Sequence, residues 1–445
     1  MDDFAGFAQG QATQLGIANG ERNKLSSFDR AFHDWYRFVL SYPPHLVRQY
    51  LNEFDLGKTD LVLDPFCGTG TTIVESKLRK IPSIGIEANR FAQFAGSVKV
   101  DWSVDASELR EHAKGIRDRA ISSLEKKGMS DAPGKYLNIP SNLRQLSNDQ
   151  VRIILKNSIS PIPLHKSLVL MDEIDRFKST SFNKYFRLAF ANALVFGISN
   201  LKFGPEVGIG KVRHDVSVVS LWFAEVEKIS SDIASVDSKD YPDASVILSD
   251  SRDASSFLKD RKISAIITSP PYPNEKDYTR TTRLESVMLG FIANKEELRL
   301  MKKSMLRSNT RGVYKDDDDD KFVKDVVEIQ NIATEIEDRR IELNKTSGFE
   351  RMYARVTKLY FGGMAKHLLQ LQCVLKPGAH LAYVVGDQAS YLRVMIRTGQ
   401  IIARIAESIG YEVVRIDQFR TRFSTATKSD LNEEVVILRW RGKGK

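Results

Sequence analysis

"LVLDPFCGTGTTIVES", residues 61–76, joins three signals that belong to one kind of fold. The apolar run "DLVLD" (60–64) reads as a short buried strand ending in Asp64. Gly68 and Gly70 follow in a turn where the backbone can take positive φ and approach a ligand closely. From Thr71 the pattern is helical to about residue 80, and "SIGIE" (83–87) supplies a second strand ending in Glu87. Strand, turn, helix, strand is the order of a βαβ unit in a parallel sheet. The free N–H groups at the helix start then face whatever the glycine turn approaches.

The same alternation resumes far downstream, with "SVILS" (245–249), "ISAIIT" (263–268), "HLAYVV" (380–385), "YEVVRI" (411–416) and "EEVVILRW" (433–440). Seven strands of this kind predict an α/β fold built on a mostly parallel sheet. Residues 1–100 then form an N-terminal segment and the first half of the sheet domain. Residues 101–244 carry long helical patterns and few strand signals, and read as a largely helical insertion forming a second domain. Residues 245–281 begin the second half and 355–445 complete it. Between these lies a further insertion, 282–354, basic at first and then acidic in "YKDDDDDK", which reads as a solvated loop. Upstream, "FDRAFHDWYRFVLSYPPHLVRQYL" has a helical pattern broken at Pro43-Pro44, and residues 1–25 read as polar and loosely ordered.

Composition narrows the class. Hydrophobic residues make up 42% of the 445 and charged residues 28%, ordinary for a soluble protein. No run approaches the ~18 apolar residues of a membrane span, and "MDDFAGFAQG" has no leader-like pattern. Cys67 and Cys373 have no metal-ligand neighbours at useful spacing, so the expectation is a reducing cytoplasm and no metal site. A net charge of +9 favours a polyanionic partner.

A lone Gly-x-Gly marks any tight strand-to-helix turn. Here no Gly-Lys-Ser/Thr follows, which argues against a triphosphate cradle. Asp64 and Glu87 suit instead a ligand with a cationic amino-acid end and ribose hydroxyls, such as S-adenosylmethionine. A second stretch, "AIITSPPYPNEKDYT" (265–279), stops a buried strand with a hydroxyl, two prolines and an aromatic ring. The prolines cannot donate to a sheet ladder, so Thr268-Ser269-Pro270-Pro271-Tyr272 forms a rigid turn. Taken alone, it is a Pro-rich strand terminator.

The pair "DPFCGTGTT" and "TSPPY" resembles the motif pair of the amino-directed DNA methyltransferases, which methylate exocyclic amines of cytosine or adenine. The resemblance covers about 230 residues and implies a Rossmann-like methyltransferase sheet. It implies that S-adenosylmethionine is held by Asp64, Pro65, Phe66, Gly68, Gly70, Thr71, Glu87, Asp250 and Ser251, with Asp250 of "ILSDSRD" near the adenine. "HDWYRFVLSYPPHLV" resembles the segment closing over the methionine end. The motif order, cofactor turn first, departs from the permuted arrangement common with a serine in the catalytic turn.

On this reading Ser269, Pro270, Pro271 and Tyr272 are catalytic. The Ser269 hydroxyl and Pro270 carbonyl accept the hydrogens of a base amine as its nitrogen becomes tetrahedral. The prolines fix their direction, and Tyr272 stacks on a base flipped from double-stranded DNA. Cys67 has no preceding proline and reads as a small packing residue. Lys295, Arg299, Lys302, Lys303, Arg307 and Arg311 follow the turn and are expected to meet phosphates, and "PEVGIGKVRH" (205–214) is a further basic loop. The resemblance links serine in the turn to the N4 amine of cytosine. Adenine N6 is the competing target, ahead of an RNA methyltransferase or an inactive DNA-binding protein. A restriction endonuclease would be a separately encoded partner.

Overall fold

The structure, a computed structural model, describes residues 9–11, 25–38, 41–134, 142–204, 206–424 and 428–442. The readings of residues 1–25 as loosely ordered, and of the first ten as lacking a leader, lie almost wholly outside the described residues.

Apolar residues in alternating register build the sheet. In chain order its strands are β1 (Gln9–Gln11), β2 (Val62–Asp64), β3 (Ser83–Glu87), then β6 (Ala244–Leu248), β7 (Ile263–Thr268), β8 (Leu375–Gly386), β9 (Glu412–Ser424) and β10 (Ser429–Arg439). β4 (Leu201–Phe203) and β5 (Val207–Ile209) form a separate antiparallel hairpin. The order across the sheet is β1-β9-β10-β8-β7-β2-β3-β6, and only β10 runs antiparallel to its neighbours. The seven anticipated strands are all present, with β1 as a three-residue addition at the edge.

Adjacent residues point to opposite faces, as the two-residue period of a strand demands. Leu63, Ile266, Leu381 and Tyr383 join the core beneath the helices Tyr353–Leu371 and Thr398–Ser408. Val62, Ile267, Ala382 and Val384 join the core beneath α1 (Pro44–Glu53). Pro43-Pro44 does not break a helix, as the sequence pattern suggested, but begins one. Pro44 occupies the first helical position, where its fixed φ fits and no N–H is missed. The residues before it form two single 3-10 turns, Ser27–Asp29 and His33–Trp35.

α2 (Thr71–Leu78) and α3 (Arg90–Lys99) cover the β2–β3 half. The inserted segment adds α4 (Ala106–Glu125), α5 (Asn148–Ile153), α6 (Pro161–Asp175), α7 (Asn183–Ala193) and α8 (Val218–Ala234). Its core is continuous with that of α2 and α3. Leu109, Phe186 and Trp222 share one cluster with Ile73 and Phe91, so the insertion extends the sheet domain as a layer against α3. Among the described residues, no helix is long and apolar enough to cross a membrane.

The acidic run is not a solvated loop. Asp319 is buried and ion-paired to Arg252 at 2.5 Å, and Asp317 pairs with Arg307 at 2.8 Å, while Asp316 and Asp318 stay exposed. Alternate carboxylates thus face inward, each against an arginine, because a buried charge must be paired. The run seats on the helix Tyr353–Leu371 at Gly362, where a Cβ would lie 2.0 Å from the Asp319 carbonyl oxygen. Gly362→Ala should therefore cost about 1–3 kcal/mol or more, as overpacking does, and lower the melting temperature. Gly57→Ala, where a Cβ meets open space, should leave it within a degree or so. Equal melting curves for the two variants would show that the acidic run is loosely seated.

Candidate active site

β2 and β7 are neighbours, yet the chain runs outward from β2 to β3 and β6 before returning to β7 and β8. That reversal makes the carboxyl ends of β2 and β7 the switch point, where open α/β sheets bind ligands. Asp64 ends one strand and Thr268 the other. The Thr268 hydroxyl donates to Asp64 Oδ1 at 2.6 Å, and both side chains are fully buried. Asp64 also accepts from the Phe66 N–H (3.2 Å) and the Tyr42 hydroxyl (3.2 Å), and Tyr42 further bonds Thr72. Thr72 donates in turn to the Ile267 carbonyl at 3.0 Å. Burial pushes the Asp64 carboxyl up to about 6, with the Thr268 hydroxyl and its other donors pulling it back.

Above this knot lies a cavity of about 840 Å³, open at its mouth. Its walls include Pro65, Phe66, Gly68 and Thr71 from the glycine turn, and Glu87 from the end of β3. Asp250 and Ser251 follow β6, and Ser269 and Pro271 belong to the turn after β7. Nine of the thirteen residues anticipated for cofactor and catalysis thus share one space. Asp64 is not in the wall; its oxygens accept from Thr268, Phe66 and Tyr42 beneath it. Gly70 lies behind it at φ 91°, where a Cβ would come within 3.3 Å of the α3 backbone at Gly96, so it serves helix packing. Pro270 is buried, and the half-buried Tyr272 packs its ring against Gly386 beside the cavity.

Glu87 is placed to do two things. Its Oε2 accepts the Gly68 N–H at 2.8 Å and its Oε1 the Asn89 N–H at 2.7 Å, which pins the glycine turn to the end of β3. Burial pushes its carboxyl up to about 7. Asp250 is held by Arg252 at 2.6 Å, so one side of that carboxylate is already paired. The Ser269 hydroxyl donates to the Val384 carbonyl at 3.2 Å and also lies within hydrogen-bonding reach of the Tyr272 hydroxyl. Cys67 is buried against Gly85, where a Cβ would come within 2.5 Å of the sulfur, and burial drives its thiol pKa up. It is a packing residue.

Several wall residues escaped the sequence reading, Tyr42 and Tyr278 among them. Tyr42 lies in the segment expected to close over the cofactor, and its only mark was the following Pro-Pro. Tyr278 lines the cavity and its hydroxyl accepts the Tyr272 N–H at 3.1 Å, six residues beyond the turn. Ser304, Met305 and Leu306 of the second insertion also line the cavity.

The basic set divides. Lys302 is committed to Asp277 at 2.7 Å, and Arg307 is buried against Asp317. Although burial works to raise it, Lys302 and Arg283 hold the Asp277 carboxyl down at about 2. These two cations therefore do not stand free for phosphates, contrary to expectation. Lys295, Arg299 and Arg311 are exposed, and Lys303 is half-buried beside Asp316 at 2.9 Å. The 205–214 loop contains β5, and Glu206 stands 4.0 Å from Arg280 of the post-turn segment.

Comparison with known proteins agrees with this geometry. A family model described as DNA methylase matches residues 24–94, from the helix-entry segment through the cofactor turn. The type II methyltransferase M.BsoBI of Geobacillus stearothermophilus is 26% identical over 424 residues, covering 88% of this chain and 81% of its own. The type II methyltransferase M.AvaI of Nostoc sp. is 31% identical over 157 residues, 34% of this chain and 31% of its own. Among solved structures, TrmN from Thermus thermophilus aligns at 11% identity with a TM-score of 0.30, over 92% of this chain and 52% of that one. The sheet order, not that alignment, carries the fold assignment. With both motifs meeting at one switch point, the chain is similar to the DNA methylase family over residues 24–94 and to a type II methyltransferase over 88% of its length.

Proposed function

We propose that the chain transfers the methyl group of S-adenosylmethionine to the N4 amine of a cytosine flipped out of double-stranded DNA. The observation that carries this reading is a single cavity bounded by both the Gly68–Glu87 turn and Ser269. The residues fit the cofactor. Thr69 lines the cavity, and among the described residues its buried hydroxyl has no partner, while Glu87 presents a carboxylate at the cavity wall. When bound, S-adenosylmethionine supplies a sulfonium methyl whose own charge drives its departure. Glu87 accepts the ribose hydroxyls, while Asp250 and Ser251 border the adenine.

Ser269 spends its proton on Val384, so only an acceptor is turned toward an incoming amine. The Pro270 carbonyl is the second acceptor, and the prolines hold both in place before reaction. Tyr272, backed by Gly386, is the stacking ring, with Tyr278 supporting it from the cavity wall. Serine in the turn supports cytosine over adenine N6, which stays the competing target. The helical insertion 101–244 is the proposed target-recognition segment. Its support is contact with the post-turn loop, through Glu206 beside Arg280 and the Ile153 carbonyl 3.5 Å from Arg283. The type II names of the relatives support a role alongside a separately encoded restriction endonuclease.

Digested DNA from cells expressing the protein should contain N4-methylcytosine by mass spectrometry. N6-methyladenine alone would reassign the target. Ser269→Ala and Tyr272→Ala should each lower methyl transfer about a hundredfold or more, with cofactor affinity nearly unchanged. Normal turnover in both would sink the mechanism.

Glu87 sets a pH dependence. Ribose hydroxyls favour its ionised form, so binding releases a proton from a carboxyl that titrates near 7. Cofactor affinity should therefore climb by up to about tenfold per pH unit below 7 and flatten above it. Stability runs the other way. The folded carboxyl holds its proton more tightly than the unfolded chain, whose value is about 4.3. This contribution is present at low pH and is lost as pH rises toward 7. Calorimetric affinity that stays flat between about pH 6 and 8 would remove Glu87 from the site.

For the DNA grip, Lys295→Ala with Arg299→Ala should lower the salt-dependence slope by up to about one per lost contact. Lys302→Ala should leave the slope alone and cost about 1–3 kcal/mol of stability by stripping Asp277 of a charged partner. The opposite pattern in filter-binding and melting experiments would exchange their roles.

A further inference from the structure

A second, smaller cavity of about 320 Å³ adjoins the first, and Ser41, Tyr42 and Thr71 line both. Lys99, the last residue of α3, lines its floor together with Arg37 and His33. Lys99 is only 2% exposed, and among the described residues its ammonium makes no hydrogen bond or ion pair. Asp34 and Arg37 act on it through space with opposite signs. A buried cation without a partner is costly, and such groups are ordinarily paired. His33 does not compete for an anion as a charge, since it bonds Glu75 at 2.9 Å and burial lowers its pKa.

The other wall is also built for negative charge. Thr71 opens α2, whose N-cap is Gly70, a residue with no side chain to satisfy the first N–H groups. Those orphan donors and the helix dipole favour an anion at that end. A helix start, an unpaired ammonium and an exposed guanidinium thus converge on a space that continues from the cofactor cavity.

We propose that Lys99, assisted by Arg37 and the start of α2, binds the α-carboxylate of the methionine end of S-adenosylmethionine. The inference rests on the cofactor reading above and assigns its carboxylate to a cation that neither sequence motif contains. Burial lowers the Lys99 pKa to about 7, a value that an adjacent anion would raise. The position explains why a lysine is kept under the glycine turn, where an apolar residue would pack at no electrostatic cost.

The test compares S-adenosylmethionine with its decarboxylated analogue by titration calorimetry on the full chain. Lys99→Met should weaken S-adenosylmethionine about ten- to a hundredfold and leave the analogue within about twofold. The free variant should melt at the same or a higher temperature, since an unpaired buried charge has been removed. Arg37→Met alters an exposed residue and should show the same selectivity at smaller size, even if Lys99→Met fails to fold. Equal loss for both ligands, or no loss for either, overturns the proposal. So does a loss confined to DNA affinity, which would identify the anion as a backbone phosphate. Failure of the wild-type chain to bind either ligand would instead fail the cofactor reading itself.

Discussion

The hydrogen bond from Thr268 to Asp64 joins the two halves of the molecule at the point where its chemistry must occur. It links the ends of adjacent parallel strands that are two hundred residues apart in the chain. Its 2.6 Å length and complete burial put it among charge-assisted bonds, which contribute about 1.5–3 kcal/mol each. The larger effect is geometric. With Asp64 also holding the Phe66 N–H and Tyr42, the glycine turn, the catalytic turn and the entry segment share one anchor. A shift of any of the three would leave a buried carboxylate oxygen without its donor, so they move together or not at all.

Much of this was legible in the sequence, because the residues concerned work by local backbone chemistry. Glycines in a strand-to-helix turn, prolines at a strand end and apolar runs of strand length state their roles within a few positions. What was not legible depends on partners distant in the chain. Asp64 looked like a ligand residue and is an internal anchor, because Thr268 and Tyr42 reach it first. Lys302 and Arg307 looked like a phosphate stripe, yet carboxylates at 277 and 317 claim them. The five-aspartate run looked solvated, but Arg252 and Arg307 draw in alternate members. β9 and β10 run several residues past their apolar stretches, carried by polar cross-strand pairs such as Arg420 with Glu433. A one-dimensional pattern counts charges but does not pair them.

This pairing also changes what the net charge of +9 means. Several of its cations are paired within the second insertion, or between it and the sheet domain, rather than facing solvent. Arg252 sits between Asp250 and Asp319, and Arg307 lies between Asp317 and the carbonyls of Lys302, Lys303 and Met305. Replacing one partner of such a pair strands the other in a medium of low dielectric. The positive field available to DNA is therefore smaller and more local than the composition suggests. Within the second insertion, Lys295, Arg299 and Arg311 remain exposed.

Those exposed cations lie in the same segment as Ser304, Met305 and Leu306, which wall the active-site cavity. Leu306 is wedged so tightly against Gly363 that a Cβ there would lie 2.5 Å from its Cδ1. Arg307 beside it is fixed by its pair with Asp317. The wall therefore has little freedom to yield on its own. On the proposed function, a phosphate drawn to Arg299 or Arg311 would pull on an element that is already part of the cavity. On that same reading, a duplex on the exposed face and a cofactor beneath it would thus be coupled through a few rigid residues. No separate lid is required for one to sense the other. The second insertion, which carried no recognisable motif, would in that case be the structural link between DNA and cofactor.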